Sequence, residues 1–307
     1  IVYLTMAFLM LIGVLTTLMS PEPKIARKNS LISVQHQFRF LIAFLIAILF
    51  FIITFSFLEN PFTNGEPIEK FLFAFIRILF SFSVFAMVIY FLFSLKLIPN
   101  KSALDVYSKP IYDFIGRYGK TALFILLLIG LYRIADVVMG VVANVFYLEK
   151  GYNIKEIATY SKFFGVFATI AGGIIGGYSA MKFGTTRCLF FGALIAAASN
   201  LLFSWLAVSE PSIDMLIIVI TADNISSGFA GAAFVVYLSA LTSLKFTATQ
   251  YALFSSLMLF FPKVLAGYSG SIVNQFGYAN FYIFTAILGI PVLILIFWIA
   301  KLAPVKE

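Results

Sequence analysis

The chain has 307 residues, of which 62% are hydrophobic and 11% charged, and its mean hydropathy is +1.04. Because a soluble domain carries about 25% charged residues, this composition predicts an integral membrane protein. The net charge of +8 lies mostly in short connectors, which explains it without nucleic-acid binding, and the single cysteine, Cys188, excludes a disulfide framework and a thiolate metal cluster.

About nine apolar runs are long enough to cross a hydrocarbon core of about 30 Å. In chain order they lie near 1–19, 38–58, 71–95, 120–147, 162–181, 187–208, 213–241, 250–273 and 278–301. They predict an all-α polytopic membrane protein. The first run begins at Ile1 without an initiator methionine and ends at the helix-stopping Pro21. We therefore expect that spans preceding this run are missing from the sequence.

Basic residues are concentrated in alternate connectors. These are 20–39, 96–120, 182–187, 242–249 and the tail from Lys301. The intervening connectors are richer in acids than in bases. Since basic residues mark the cytoplasmic side, the pattern predicts a cytoplasmic C-terminus and places Ile1 on the outer side.

Few charges fall within the predicted spans: Arg77, Arg133, Asp136, Asp223 and Lys263. A charge at bilayer depth costs a few kcal/mol and normally faces protein or a water-filled cavity. Arg77 lies near the outer end of its run, so we expect it to reach toward the lipid headgroups. The other four are candidate functional residues.

A polar seam follows Arg133 along its span. Asp136, Gly140, Asn144 and Tyr147 follow Arg133 at helical spacing, so that all five share one helix face. Such a seam is typical of the lining of a transport pathway. The alternative is an internal ion pair that only joins two helices.

A basic turn joins two spans through Gly177, Lys182, Gly184 and Arg187. The same spacing of glycines and a polar pair recurs in 270–277, three spans later and on the opposite membrane face. A three-helix unit repeated with inverted topology would produce this recurrence, and such repeats are typical of secondary transporters.

The connectors contain no metal-ligand cluster and no nucleophile–base pair. Tyr251, Ser255 and Ser256 lack a nearby histidine or paired carboxylates, so packing and hydrogen bonding explain them better than catalysis. The sequence therefore predicts neither an enzyme nor a bound metal or cofactor.

The basic turn resembles the signature loop of the major facilitator superfamily, with Met181 where that family usually has an acid. Several strings resemble the AmpG-type muropeptide permeases over about 110–300, among them FIGRYGKTALFILLLIGLYRIADVVMGVVANVFYLEKGYNIKEIA, SKFFGVFATIAGG, ASNLLF, TADNISSGFAGAAFVVYLSALTS, FTATQYALFSSLM and SGSIVNQFGYANFYIFTA. Val145 departs from the proline usual in that family.

The resemblance implies a domain organisation. Residues 120–307 would form the C-terminal six-helix half of a major facilitator fold, and 1–19 the last helix of the N-terminal half. The inserted pair 38–98 would lie between cytoplasmic connectors at 20–37 and 99–119. We expect this pair at the periphery, away from Asp136 and Asp223.

The resemblance further implies a monomeric, proton-coupled importer of anhydromuropeptides, which are cell-wall breakdown products, in the bacterial inner membrane. Arg133 and Lys263 would suit the substrate carboxylates. The amides and hydroxyls would meet Asn144, Tyr147, Asn224 and Gln250. We expect the spans 120–147, 213–241 and 250–273 to surround one cavity that Arg133 and Asp223 face.

Asp136 or Asp223 would carry the coupling proton, because a carboxyl group at low dielectric holds its proton more readily unless a cation offsets the charge. Asp136 has such a cation in Arg133, which makes Asp223 the better candidate. The open alternatives are a related permease for acyl-CoA or another anionic metabolite, and a non-transporting remnant. A membrane-embedded enzyme would need a reacting constellation that the sequence does not show.

Overall fold

The computed structural model describes residues 2–20, 34–59, 61, 65–95, 97 and 108–302. Every regular element within them is helical, which confirms an all-α polytopic membrane protein. The helices are α1 (Val2–Met19), α2 (Val34–Phe57), α3 (Pro67–Ser94), α4 (Lys109–Tyr118), α5 (Thr121–Leu131), α6 (Ile134–Glu149), α7 (Ile154–Ile157), a π-helical segment (Ala158–Phe164), α8 (Gly165–Phe183), α9 (Thr185–Val208), α10 (Ile213–Leu241), α11 (Thr247–Ala266), α12 (Ser269–Ile287) and α13 (Gly289–Leu302). Residues 21–33 and 98–107 of the basic connectors, and the tail from 303, lie outside the described residues.

Seven helical stretches among the described residues are long and apolar enough to cross a membrane. The expected run 250–273 is not among them as one helix: α11 ends at Ala266, and Gln250, Pro262 and Lys263 lower its hydropathy. The last stretch, Ser269–Leu302, combines the end of that run with 278–301. A break inside α12 interrupts this last stretch.

The break in α12 falls at Gly277, which has φ 78° and ψ 164°. Gly184, in the one-residue turn between α8 and α9, has nearly the same conformation, with φ 89° and ψ 147°. This region of backbone space is accessible essentially only to glycine. The two glycines that were paired by their sequence spacing thus end a helix with the same backbone geometry.

The connections define two ends of the bundle. The hydroxyl of Tyr152 donates to the carbonyl of Ser212 at 2.9 Å, which joins the α6–α7 and α9–α10 connections at one end, called here the Tyr152 end. The Gly184 turn and the loop before α11 lie at the other, called here the Lys245 end.

The helices α2 and α3 pack against each other at the edge of the bundle. Among the described residues, α3 reaches the bundle through ring contacts, Phe71 on Tyr268 and Phe82 on Phe260. Arg77, for which we expected a contact with lipid headgroups, bonds to the neighbouring helix. Its Nε donates to the carbonyl of Phe55 at 2.6 Å, which satisfies an acceptor at the end of α2.

The closest helix pair is α8 with α10. A Cβ added to Gly172 or to Gly228 would collide with the facing backbone carbonyl, and one on Gly176 would lie 2.6 Å from the carbonyl oxygen of Phe229. Small residues are what allow membrane helices to approach this closely. The contact fixes α10, and with it Asp223, against α8.

We expect Gly172→Ala to lower stability by about 2–3 kcal/mol, because the added methyl group meets backbone that cannot move independently. Gly177→Ala is the matched control on the same helix, since its Cβ would have no atom of the described residues within 4 Å. The control should be neutral or slightly stabilising. The thermal midpoints of the two purified variants test this, and equal midpoints would contradict it.

Candidate functional site

An ion pair lies at a break in the span Thr121–Glu149. Helix α5 ends at Leu131 and α6 starts at Ile134, so that Arg133 occupies the N-cap of α6 with φ −94° and ψ 10°. Its Nη2 donates to Oδ2 of Asp136, in the first turn of α6. An acid is favoured there because a helix N-terminus carries partial positive charge.

Helix α10 supplies a third partner. Nη2 of Arg133 donates to Oγ of Ser227 at 3.4 Å, and Oγ of Ser227 lies 3.5 Å from Oδ2 of Asp136. One turn further on, Gly231 leaves room for the guanidinium, because a Cβ there would lie 3.1 Å from Nη1 of Arg133. The ion pair therefore connects the two spans in which the sequence predicted the candidate site.

Asp223 lies on α10 one turn before Ser227 and is half-buried. Its carboxyl group lies near Ser199 on α9 and interacts electrostatically with Asp136 and Arg133. The cluster thus holds two carboxyl groups and one guanidinium. It is electrically neutral when one carboxyl group is protonated, and it carries one negative charge when neither is.

Neutral polar residues that the sequence analysis missed complete this region. Asn200 is buried; its Nδ2 donates to the carbonyl of Ala135 at 3.4 Å, while its Oδ1 has no hydrogen-bond partner among the described residues. The buried hydroxyl of Ser226 donates to that of Ser199 at 3.2 Å. In the sequence, Ser199 and Asn200 form a polar pair within an apolar run, and a search for charged residues alone does not detect them.

The cavity that touches Arg133 and Asp136 has a volume of about 10 Å³, room for about one water molecule. Its walls come from four spans: Thr121–Glu149, α9, α10 and α13. Among the described residues, none of 250–273 lines this cavity, and Asp223 does not line it either; Gly289 and Val292 of α13 form one of its walls. A muropeptide does not fit in this cavity.

The seam residues do not share one environment. Asn144 and Gly140 are exposed, whereas Tyr147 is 4% exposed and its ring lies 6.2 Å from that of Phe203. The seam is divided because Tyr147, at its edge, turns toward α9. The expected continuous polar lining is therefore not found: Arg133 is half-buried within the bundle, whereas Asn144 lies on its exposed surface.

Asn224 joins α10 to α8. Its Nδ2 donates to the carbonyl of Ile220 at 2.8 Å and its Oδ1 accepts from Oγ1 of Thr169 at 2.9 Å. A Cβ on Gly165 would lie 3.1 Å from Nδ2. These contacts give the amide a role in helix packing.

Gln250 and Lys263 lie away from the ion pair. Gln250 is 1% exposed at the Lys245 end and bonds to α4 and to the loop before α11. Lys263 is exposed and lines an open groove of about 550 Å³ between α11 and α3, together with Ile78 and Phe260. The structure does not bring these two side chains to Arg133.

The predicted conformational loop is a tight turn at the Lys245 end. Gly177, Lys182 and Arg187 lie on the helices that flank Gly184, and both cations are exposed. The Nζ of Lys182 lies 5.5 Å from the ring centroid of Phe183. This arrangement leaves both cations at the surface of the described part of the chain.

No protein-family model matches the chain. It is similar to curated bacterial proteins that are named as candidate AmpG transporters. It is 35% identical to AmpG 4 of Rickettsia felis over 192 residues, 62% of this chain and 46% of that protein. It is 33% identical to AmpG 4 of Rickettsia conorii over 205 residues, 67% and 49% of the two chains. With AmpG 1 of Rickettsia prowazekii the identity is 38% over 176 residues, 57% and 39% of the two.

The chain thus spans about half the length of the curated relatives that it matches. The matches confirm the resemblance on which the sequence analysis relied. Over the matched residues, this multi-pass membrane chain is a relative of the AmpG-type transporters.

Proposed function

We propose that this chain forms part of a proton-coupled secondary transporter that imports anhydromuropeptides across the bacterial inner membrane, with its C-terminus in the cytoplasm. The proposal rests on the number and sign of the ionisable groups at the site. Arg133, Asp136 and Asp223 interact within the membrane-spanning region, on two spans that are not adjacent in sequence. Two carboxyl groups with one cation can take up and release one proton between a neutral and a singly charged state.

In this proposal Asp223 carries the coupling proton, because Asp136 is the one in direct contact with the guanidinium. The substrate binds outside the small cavity, on the exposed surface that includes Asn144. The rest of the substrate site comes from the part of the relatives' length that this chain does not span. Arg133 orders the two spans and meets a substrate carboxylate when the site opens.

Uptake of labelled anhydromuropeptide into vesicles tests the proposal. The vesicles come from cells that lack their own muropeptide uptake and contain this chain, alone or co-expressed with the part of the Rickettsia felis relative that it does not match. We expect uptake that follows an inward proton gradient and collapses when a protonophore is added. Excess unlabelled anhydromuropeptide should compete, and an acyl-CoA should not.

Two results would contradict the proposal. Equal competition by acyl-CoA favours the related anionic-metabolite permease. Absence of uptake with either preparation, although the chain is present in the membrane, favours a non-transporting remnant.

A further inference from the structure

Gln250 has both ends of its amide occupied. Its Nε2 donates to the carbonyl of Pro110 at 2.8 Å and to Oδ2 of Asp113 at 3.1 Å. Its Oε1 accepts from Nη2 of Arg117 at 3.1 Å and from the backbone N–H of Ser243 at 2.7 Å. Two donors and two lone pairs are the full capacity of a glutamine side chain.

These bonds join extensions of the two spans that hold the ion-pair site. Helix α4, which supplies Pro110, Asp113 and Arg117, continues through Gly119 into the span of Arg133. Ser243 lies two residues after the end of α10, the helix of Ser227. Gln250 itself belongs to α11. It is therefore the point where three elements meet at the Lys245 end.

The apolar packing around this point is incomplete. The ring of Phe114 of α4 packs edge-on against the ring of Phe254 of α11, with centroids 5.0 Å apart. Beside that contact, a groove of about 490 Å³ separates α4 from α3 and α11. Gly119, which joins α4 to the span, has φ 53°, and a Cβ added to it would have no atom of the described residues within 4 Å. Helix α4 thus depends on the polar link more than a helix in a close-packed core does.

We propose that Gln250 is a positioning residue, which holds the Lys245 ends of the two site-bearing spans at a fixed separation and thereby fixes the distance between Arg133 and Ser227. The inference rests on the proposed function in one respect only: that function explains why the distance between Arg133 and Ser227 matters. Its test uses no substrate, so its failure is distinct from failure of the transport proposal.

Hydrogen–deuterium exchange of the purified chain in lipid nanodiscs provides the test. Gln250→Met removes all four bonds at similar side-chain volume. We expect exchange in 109–118 to rise about tenfold or more, because the buried side chain of residue 250 loses its three hydrogen bonds to α4. Exchange in 132–140 and 223–231, around the ion pair, should rise with it. If Gln250 only anchors α4, hydrogen exchange should rise in 109–118 alone.

Gln275→Met is the matched control, because Gln275 is exposed at the other end and its side chain makes a single bond among the described residues, to Glu66. Cys188 is buried and is the one cysteine of the chain, so its resistance to maleimide shows that a variant is folded. Should Gln250→Met fail this check, Gln250→Glu is used instead. It loses both bonds donated to α4 and places a second carboxylate beside Asp113, so exchange in the same segments is expected to rise. Unchanged exchange around the ion pair in the folded variant overturns the proposal.

Discussion

Asp136→Ala is expected to destabilise the protein by about 3 kcal/mol, which is at the low end of the cost of removing one partner from a buried ion pair. The variant leaves the guanidinium of Arg133 without its carboxylate inside the span. The two side chains keep 24% and 19% exposure, which allows partial hydration and places the cost at the low end. Ser227 remains as a neutral acceptor, and Asp223 interacts with Arg133 at longer range, so neither replaces the lost contact.

The double variant Arg133→Leu with Asp136→Leu should recover most of this loss, because it removes both charges together. Asp214→Ala is the control: Asp214 is an exposed acid in the first turn of α10, and its removal should change stability by less than about 0.5 kcal/mol. The measurement is the thermal loss of helical circular dichroism in detergent. A single variant as stable as the parent protein would show that Asp136 does not balance Arg133.

Asp223→Asn is expected to abolish uphill accumulation of labelled anhydromuropeptide while downhill exchange continues. Asparagine keeps the size of the side chain, but it cannot carry the coupling proton. The cluster then holds one carboxyl group and one guanidinium, and it lacks the second acid that lets it alternate between two charge states. Asp214→Asn, in the same helix but exposed at its end, should accumulate substrate normally.

The assay compares accumulation under a pH gradient with counterflow at equal pH, in the same vesicles. Loss of both activities would indicate that Asp223 is needed for folding or substrate binding. Retention of both would assign the proton to Asp136 or to a residue outside this chain.

The spans and the central charges could be predicted from the sequence because both depend on local composition. Helical spacing placed Arg133 next to Asp136, and the two lie in contact. The spacing of Gly184 and Gly277 identified the two positions that share an unusual backbone conformation. Each of these features is set within a short segment of chain.

The partners of the amide side chains could not be predicted in this way. Gln250 bonds to residues more than 130 positions away, and Asn224 bonds to Thr169 on another helix. A sequence shows that such a side chain is polar but not whether a neighbour satisfies it. Likewise, spacing along the helix put Tyr147 on the seam, whereas packing against α9 buried it.

Movement of protons with substrate is the most direct test of the central claim, that Asp223 couples muropeptide import to a proton. Vesicles prepared as for the uptake assay are loaded with a pH-sensitive dye, at equal internal and external pH, and unlabelled anhydromuropeptide is added outside. The account predicts that the lumen acidifies in proportion to the substrate taken up, and that Asp223→Asn removes this acidification while substrate still enters. Substrate entry without acidification in the parent protein, or undiminished acidification in Asp223→Asn, would contradict it.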